Sequence, residues 1–251
     1  MKAYLQQSNK LWFDDFVYIS VAPLMNRGID IVKFDDLNID EFFEDRVFSK
    51  DDILIGSVEA TELFFKGLGV DIPKYIGYPE ELNSFYGRKI YKTLYGFKPK
   101  KYPYFIKPAD GIKLFTGSLI ENEGNLNILE NYMATSPLED NTKVFIQEPI
   151  EFISEYRCFI HDGEFVNIKH YQGDFRVFPD VSIIESIISK YENQPISYTI
   201  DLGITDKGET CIVEINDFWA IGSYGLDGDT YIKMIIKRFH EILNKKRYES
   251  K

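Results

Sequence analysis

Three oxygen-bearing side chains near the end of the chain have the types and spacing of a binding site for a hard metal ion. Residues 198–216 alternate between apolar and polar positions on either side of a turn sequence, Asp-Lys-Gly-Glu at 206–209, which favours a β-hairpin. With the central two residues as the loop, Asp201 lies opposite Glu214 and on the same face as Asn216. Opposed carboxylates are unfavourable without a cation between them, and this oxygen-only set suits Mg²⁺.

The other face of this hairpin is predicted to be apolar and buried. The same register pairs Gly203 with Ile212 and Asp206 with Glu209. An alternative stays open, in which the polar residues are only the solvated outer face of a half-buried sheet. The predicted apolar face consists of Tyr198, Ile200, Leu202, Cys211, Val213 and Ile215.

A second hairpin with a strong turn signal precedes the first. Pairing across Asp162-Gly163 places Arg157 opposite Ile168 and Glu155 opposite His170. Glu155, Arg157 and His170 are therefore predicted to share one face. A surface ion pair between Glu155 and Arg157 is an equally simple explanation of those two residues.

Lysines concentrate in the middle of this otherwise acidic chain. Lys107 ends a hydrophobic strand just before a proline, and Lys107 and Lys113 flank a Pro-Ala-Asp-Gly turn. Both are predicted to point at phosphate oxygens as compact charges. The Lys-x-Asp-Gly nucleophile motif of nucleotidyltransferases is a distant alternative, because one residue too many separates Lys107 from Asp110.

A strand over 143–147 is followed by a proline, which suggests a hinge that recognises a flat heterocycle. Pro149 cannot donate a ladder hydrogen bond, so the strand should break there. The break leaves the Gln147 C=O and the Ile150 N–H free to pair with a base such as adenine, with Glu148 beside them.

Composition narrows the class of protein. The 251 residues carry a net charge of −11, which argues against a general nucleic-acid binder because phosphate backbones require an excess of Lys and Arg. Two cysteines on predicted strands indicate buried free thiols and a reducing compartment. No window approaches the length of a membrane span, so a cytoplasmic protein with no membrane partner is expected.

The remaining elements are predicted from local patterns. Residues 1–78 form a small α/β unit, and a proline- and glycine-rich linker precedes the rest of the chain. Predicted strands cover 16–22, 29–34 and 52–55, and predicted helices cover 37–44, 59 to Gly67 or Gly69, 80–95, part of 121–142, 179–193 and 230–245.

Taken together, these segments resemble the ATP-grasp superfamily, and within it the small branch near the RimK-type ligases. The resemblance covers nearly the whole chain, and the order of its parts is more specific than any single one. Its carriers are Lys107-Pro108, Gln147-Glu148-Pro149-Ile150, Glu155-Tyr156-Arg157, Gly173-Asp174-Phe175-Arg176, Asp201 and Glu214-Ile215-Asn216.

The resemblance implies an α+β fold in which two lobes grip ATP, preceded by the small α/β domain. The N-terminal domain would cover 1–78 and the ATP-grasp domain 79–251. Within the latter, the lid would cover roughly 98–147 and the C-terminal lobe roughly 148–251.

The family's chemistry is ATP-dependent ligation of a carboxylate to an amine through an acyl-phosphate, and the substrate would be an amino acid, a peptide or a protein. The alternatives are a phosphotransferase on the same fold and a nucleotide-binding module without turnover. The resemblance implies Mg²⁺ ligands at Asp201, Glu214 and Asn216, and catalytic arginines at Arg157 and Arg176. It implies ATP contacts at Lys89, Lys107, Lys113, Gln147, Glu148, Ile150, Glu155 and His170, although relatives tend to have Arg where this chain has His170.

Overall fold

Three β-sheets carry the fold, and the computed structural model describes residues 1–7, 15–110, 114–133 and 138–245. The first sheet is parallel, in the order β2-β1-β3, and is covered by helices. Its elements are β1 (Lys2–Gln7), α1 (Asp15–Asn26), β2 (Asp30–Asp35), α2 (Ile39–Phe43), β3 (Ile53–Ile55) and α3 (Val58–Gly67).

The strand predicted over 16–22 is wrong, because these residues belong to α1. β1 and β2 are parallel neighbours, and a parallel pair needs a crossover connection, which α1 supplies. The strand β1 itself has no counterpart in the sequence-based assignment. The predictions of β2, α2, β3 and α3 are confirmed to within a few residues.

The second sheet is antiparallel, in the order β4-β7-β5-β6. The helix predicted over 80–95 is wrong: a 3₁₀ helix covers Glu80–Phe85, and a strand follows after Gly87, whose φ of +64° ends the helical path. The elements of this part are β4 (Ile90–Leu94), β5 (Tyr104–Pro108), β6 (Ser118–Ile120), α4 (Glu123–Tyr132) and β7 (Lys143–Gln147).

The third sheet is also antiparallel, in the order β11-β10-β8-β9. One of its faces packs against α5, and the last helix packs against α1 of the N-terminal unit. The elements are β8 (Ser154–His161), β9 (Glu164–Gly173), α5 (Val181–Lys190), β10 (Ser197–Ile204), β11 (Thr210–Asp217) and α6 (Gly228–Lys245).

The register of the β10–β11 hairpin explains why one predicted pair is right and its neighbours are wrong. The loop has three residues, 206–208, since the Thr205 N–H donates to the Glu209 C=O and closes the hairpin at that pair. Gly203 therefore pairs with Cys211 rather than Ile212, and Asp206 does not face Glu209.

A β-bulge then absorbs the extra residue of the loop. Leu202 pairs with Ile212, whereas Asp201 pairs with Glu214, so Val213 is the extra residue on β11. The predicted opposition of Asp201 and Glu214 is confirmed. The buried face contains Ile212 in place of the predicted Cys211 and Val213.

Two bulges likewise shift the β8–β9 hairpin. Arg157 pairs with Lys169 instead of Ile168, and His170 pairs with Tyr156 instead of Glu155. Because neighbouring strand residues point to opposite faces, His170 lies on the face opposite to Arg157. The prediction that Glu155, Arg157 and His170 share a face is wrong for His170.

The N-terminal core is completed by the end of the chain. Side chains of α6, among them Ile232, Ile235 and Phe239, belong to the same buried cluster as β1 and β3. The boundary at residue 78 stays a prediction. Cys158 and Cys211 are buried free thiols, as predicted. No helix in the described ranges is both long and apolar enough to cross a membrane.

We expect Gly87→Ala to lower the free energy of unfolding by about 2–5 kcal/mol. A Cβ at this position would lie 2.4 Å from the Cys211 Sγ, so an overpacking cost of about 1–3 kcal/mol adds to a left-handed backbone cost of about 1–2 kcal/mol. Gly208→Ala is the matched control, because Gly208 also has a positive φ but has no atom within 4 Å of the added Cβ. Denaturant titration measures both, and equal losses would contradict the contact with Cys211.

Candidate nucleotide and metal site

A cleft of about 780 Å³ opens where the second and third sheets meet α3 and the segment that follows it. The N-terminal unit contributes α3 and the linker 72–76, and the second sheet contributes β5 and the segment 114–117. The third sheet contributes the end of β11, and the following turn supplies 219–222. The cleft therefore lies at the junction of the second sheet, the third sheet and the N-terminal unit.

Lys107 and Glu214 meet in this cleft and join the second sheet to the third. The Lys107 Nζ lies 2.7 Å from the Glu214 Oε2, and the lysine side chain is only 14% exposed. Burial alone would lower the pKa of Lys107, but the attraction of Glu214 and of nearby tyrosines outweighs it and raises that pKa. Lys107 is thus held as a cation, as its predicted phosphate-binding role requires.

Asn216 completes a small polar group around Glu214. Its Nδ2 donates to the Glu214 Oε1 at 2.9 Å, and both side chains line the cleft. Burial raises the pKa of Glu214, yet Lys107 and Asn216 together lower it below its usual value. Glu214 is therefore an ionised carboxylate with an amide oxygen nearby.

Asp201 is bound by an arginine on the neighbouring strand. The Arg157 Nε and Nη2 donate to its two oxygens at 2.7 and 2.6 Å, and Asp201 is only 3% exposed. Burial raises the pKa of Asp201 to about 6, and Arg157 opposes that rise. The ring of Tyr224 covers the guanidinium, with its centroid 3.9 Å from the Arg157 Cζ.

The opposed carboxylates are thus each neutralised by a different side chain. Arg157 pairs with Asp201, and Lys107 pairs with Glu214. Within the described ranges, no group of three or more His, Cys, Asp or Glu side chains has the arrangement of a metal site. Glu214 and Asn216 face the cleft with oxygens that fit Mg²⁺, whereas both oxygens of Asp201 already accept from Arg157. The metal-ligand assignment stays a prediction.

The predicted adenine hinge contains a buried polar network that the sequence did not indicate. The Gln147 Oε1 accepts from the Arg88 Nε at 2.8 Å, and the Gln147 Nε2 donates to the Tyr78 hydroxyl at 2.7 Å. Arg88 also donates to the backbone C=O of Ile212 at 2.8 Å and of Val213 at 3.0 Å. Arg88 therefore connects β7 of the second sheet to the bulge of β11.

The outer side of the hinge is formed by Lys89 and Glu148. The Glu148 N–H donates to the Lys89 C=O, and the Lys89 N–H donates to the Glu148 Oε2, both at 3.0 Å. The Lys89 ammonium is largely exposed and lies 3.7 Å from Glu148. Ile150, two residues after Glu148, is half-buried. The ammonium of Lys89 does not line the cleft that contains Lys107.

The other predicted site residues are more scattered. Arg176 is exposed and pairs with Asp174 at 2.6 Å, outside the lining of the cleft. The Glu155 carboxylate accepts from the Tyr171 hydroxyl at 2.7 Å, and the exposed His170 packs edge-on against Tyr156 on the opposite face. Lys113 lies outside the described residues.

A buried ion pair behind the cleft was also not predicted. The Arg238 Nε donates to the Asp217 Oδ1 at 2.7 Å, so α6 holds the residue that follows Asn216. The signal is visible in the sequence after the fact, because Arg238 interrupts the apolar stripe of α6 between Ile235 and Phe239. A charged residue at such a position requires a buried partner.

We expect Arg157→Met to lower the free energy of unfolding by about 3–5 kcal/mol at pH 8, because it leaves the Asp201 carboxylate buried without a cation. The pKa of Asp201 in the folded protein lies above its unfolded value, so ionisation of Asp201 lowers the stability as the pH rises. Without Arg157 this pKa rises further, so the stability keeps falling to a higher pH. The loss should therefore be smaller at pH 5.

Arg176→Met is the control for this experiment, since it removes an exposed pair and should cost at most about 1 kcal/mol. Denaturant titrations at pH 5 and pH 8 measure both variants. A loss of less than about 1 kcal/mol for Arg157→Met at pH 8 would contradict the buried pair.

Comparison with known proteins places this geometry in a family. Residues 85–234 match the family model described as the ATP-grasp domain, R2K clade family 2. None of the curated proteins compared matches the sequence.

Solved structures share the fold at low sequence identity. D-alanine–D-alanine ligase from Bacillus anthracis complexed with ATP is 13% identical with a TM-score of 0.55, over 98% of this chain and 99% of that chain. A RimK domain ATP-grasp protein from Sphaerobacter thermophilus is 12% identical with a TM-score of 0.51, over 96% and 98%. The ATP-grasp ligase PsnB complexed with a minimal precursor is 11% identical with a TM-score of 0.52, over 94% and 98%.

The family match covers more than half of the chain, and the structural similarity covers nearly all of it. The two antiparallel sheets and the cleft that they line together with α3 agree with that assignment. The chain has the α+β ATP-grasp fold and belongs to the ATP-grasp domain, R2K clade family 2.

Proposed function

We propose that this protein is an ATP-dependent carboxylate–amine ligase that forms an amide through an acyl-phosphate intermediate. The observation that carries the proposal is the contact of Lys107 with Glu214 at 2.7 Å in the cleft between the lid and lobe sheets. It brings a buried cation from the lid to an acidic group on the lobe. Phosphoryl transfer depends mainly on positioning and charge neutralisation, which this arrangement supplies.

Each residue of the cleft has a proposed role that follows from its position. Lys107 has ammonium hydrogens beyond the one given to Glu214 and would bind phosphate oxygens of ATP. Glu214 and Asn216 would hold Mg²⁺, which when bound neutralises phosphate charge. Arg157 lines the cleft as a fixed cation and would orient the substrate carboxylate or the acyl-phosphate.

The chemistry then follows in two transfers. The substrate carboxylate attacks the γ-phosphorus of ATP, and the bond to the β-phosphate oxygen breaks to release ADP. An amine attacks the resulting acyl carbon, inorganic phosphate leaves, and the nitrogen loses a proton. The lid sheet and the Tyr75 and Tyr78 rings beside Lys107 would keep water away from the acyl-phosphate.

Small-molecule or peptide substrates are part of the proposal, with an amino acid, a peptide or a protein supplying the groups that are joined. Two proteins of similar structure support this part of the proposal: one is a D-alanine–D-alanine ligase, and the other is a ligase whose structure contains a minimal precursor. Two buried free thiols favour a reducing, cytoplasmic setting.

The proposal is tested by analysing the products formed from ATP, Mg²⁺ and a panel of amino acids and peptides. A ligase gives ADP, phosphate and a compound heavier by the mass of the joined amine minus water. A phosphotransferase gives ADP and a phosphorylated product without free phosphate. A binding module gives neither ADP nor product, and either of the last two results would overturn the proposal.

We expect Glu214→Gln to lower ATP turnover by at least about 100-fold, because it removes an anionic metal ligand and the partner of Lys107. Glu209→Gln is the matched control, since Glu209 is exposed on the same hairpin and outside the cleft. Release of ADP measures both variants, and circular dichroism checks the fold. Undiminished turnover in the Glu214 variant would refute the site.

A further inference from the structure

The cleft continues beyond Lys107 and Glu214 to a wall formed by α3 and the turn after β11. Val58 and Glu62 are one helical turn apart on α3, and both line the cleft. Trp219 lines it from the other side and packs edge-on against Phe65 of α3, with ring centroids 5.7 Å apart. Tyr75 of the linker adds a second aromatic ring. This wall combines a carboxylate with aromatic side chains.

Glu62 differs from the other carboxylates that line the cleft. Each of the others is neutralised by a lysine or arginine, whereas Glu62 has no cation within 4 Å in the part of the chain that the structure describes. The neutralised groups are Asp110 with Lys92 and Lys143, Glu214 with Lys107, and Asp217 with Arg238. Glu62 is nevertheless half-buried, so its charge is only partly hydrated.

Lys74 is the other charged side chain on this wall. It is exposed and lies more than 4 Å from the Glu62 carboxylate, so in the described structure the two do not form an ion pair. An exposed lysine is well hydrated and screened, and it neutralises a half-buried carboxylate poorly. In the described part of the chain, the Glu62 carboxylate is therefore left without an ion-pair partner on a wall that also has aromatic rings.

Such a surface is complementary to one class of group. A carboxylate forms charge-assisted hydrogen bonds with ammonium and guanidinium groups, and the faces of Trp and Tyr attract the same cations. An anion is repelled by the carboxylate, and a neutral polar group leaves its charge unpaired. The apolar part of a ligand is accommodated by Val58 and the rings.

We propose that Glu62 binds a cationic nitrogen, an ammonium or a guanidinium, of the substrate that enters this cleft, with the apolar part of that substrate against Trp219 and Tyr75. The term substrate rests on the proposed ligase function, but binding at Glu62 does not. Because the bound nitrogen stays charged, it is a recognition group and not the attacking amine. The substrate class is therefore a cationic amino acid, or a peptide with a free N-terminus or a basic side chain.

The experiment measures binding to the full chain in the presence of ADP and Mg²⁺, without turnover. Two probe pairs each differ by one positive charge: N-acetyl-L-arginine against N-acetyl-L-citrulline, and L-leucine against N-acetyl-L-leucine. Isothermal titration or ligand-observed NMR gives the Kd values. We expect at least one cationic probe to bind at least tenfold more tightly than its neutral partner.

Two variants locate the effect. Glu62→Gln should abolish the preference for the cationic probe, and Glu59→Gln, an exposed residue of the same helix outside the cleft, should keep it. Equal binding within both pairs, or an unchanged preference in Glu62→Gln, would overturn the proposal. Failure of the ligase function would show instead as absent ADP release in the product assay, while the binding preference persists.

Discussion

The contact between Lys107 and Glu214 is the interaction on which the site depends. It joins the second sheet to the third sheet through charged side chains that are largely withdrawn from water. Because Glu214 raises the pKa of the lysine and the lysine lowers that of the glutamate, each partner keeps the other ionised despite burial. A neutral residue at either position leaves a buried charge without a partner, which costs more than the pair contributes.

A backbone irregularity makes that contact geometrically possible. The bulge at Val213 puts Glu214 opposite Asp201 and on the cleft side of β11, and Arg88 binds the carbonyls of Ile212 and Val213 on the same stretch. The same arginine donates to Gln147, the last residue of β7 in the second sheet. Bulges often re-aim a side chain beside a functional site. One half-buried guanidinium thus contacts both the bulge beside Glu214 and the end of β7.

The sequence predicts the fold class and the opposition of Asp201 and Glu214, but it does not predict the hairpin registers, and the reasons are physical. The predicted opposition of Asp201 and Glu214 is correct only because the bulge compensates for the longer loop. No local sequence signal indicates the bulge or the length of the loop. His170 was placed on the wrong face because two bulges in the second hairpin change the alternation of its strands. Strands and helices with regular apolar spacing were found, whereas β1, α1 and β4 depend on partners distant in sequence. Arg88 and Arg238 contact residues that are distant in sequence, and no sequence motif indicates these contacts.

Charge balance explains how an acidic protein presents a site for a polyanion. The net charge is −11, yet at the centre of the cleft each carboxylate is matched by a cation, so the approach to Lys107 is locally close to neutral. Under the proposed function, a triphosphate competes with Glu214 for Lys107. A divalent ion held by Glu214 and Asn216 would then neutralise the Glu214 carboxylate in place of the lysine. The ion and the nucleotide then favour each other's binding, because each removes the unpaired charge that the other creates. Arg157 takes no part in this exchange, since Asp201 and the Tyr224 ring hold it in place.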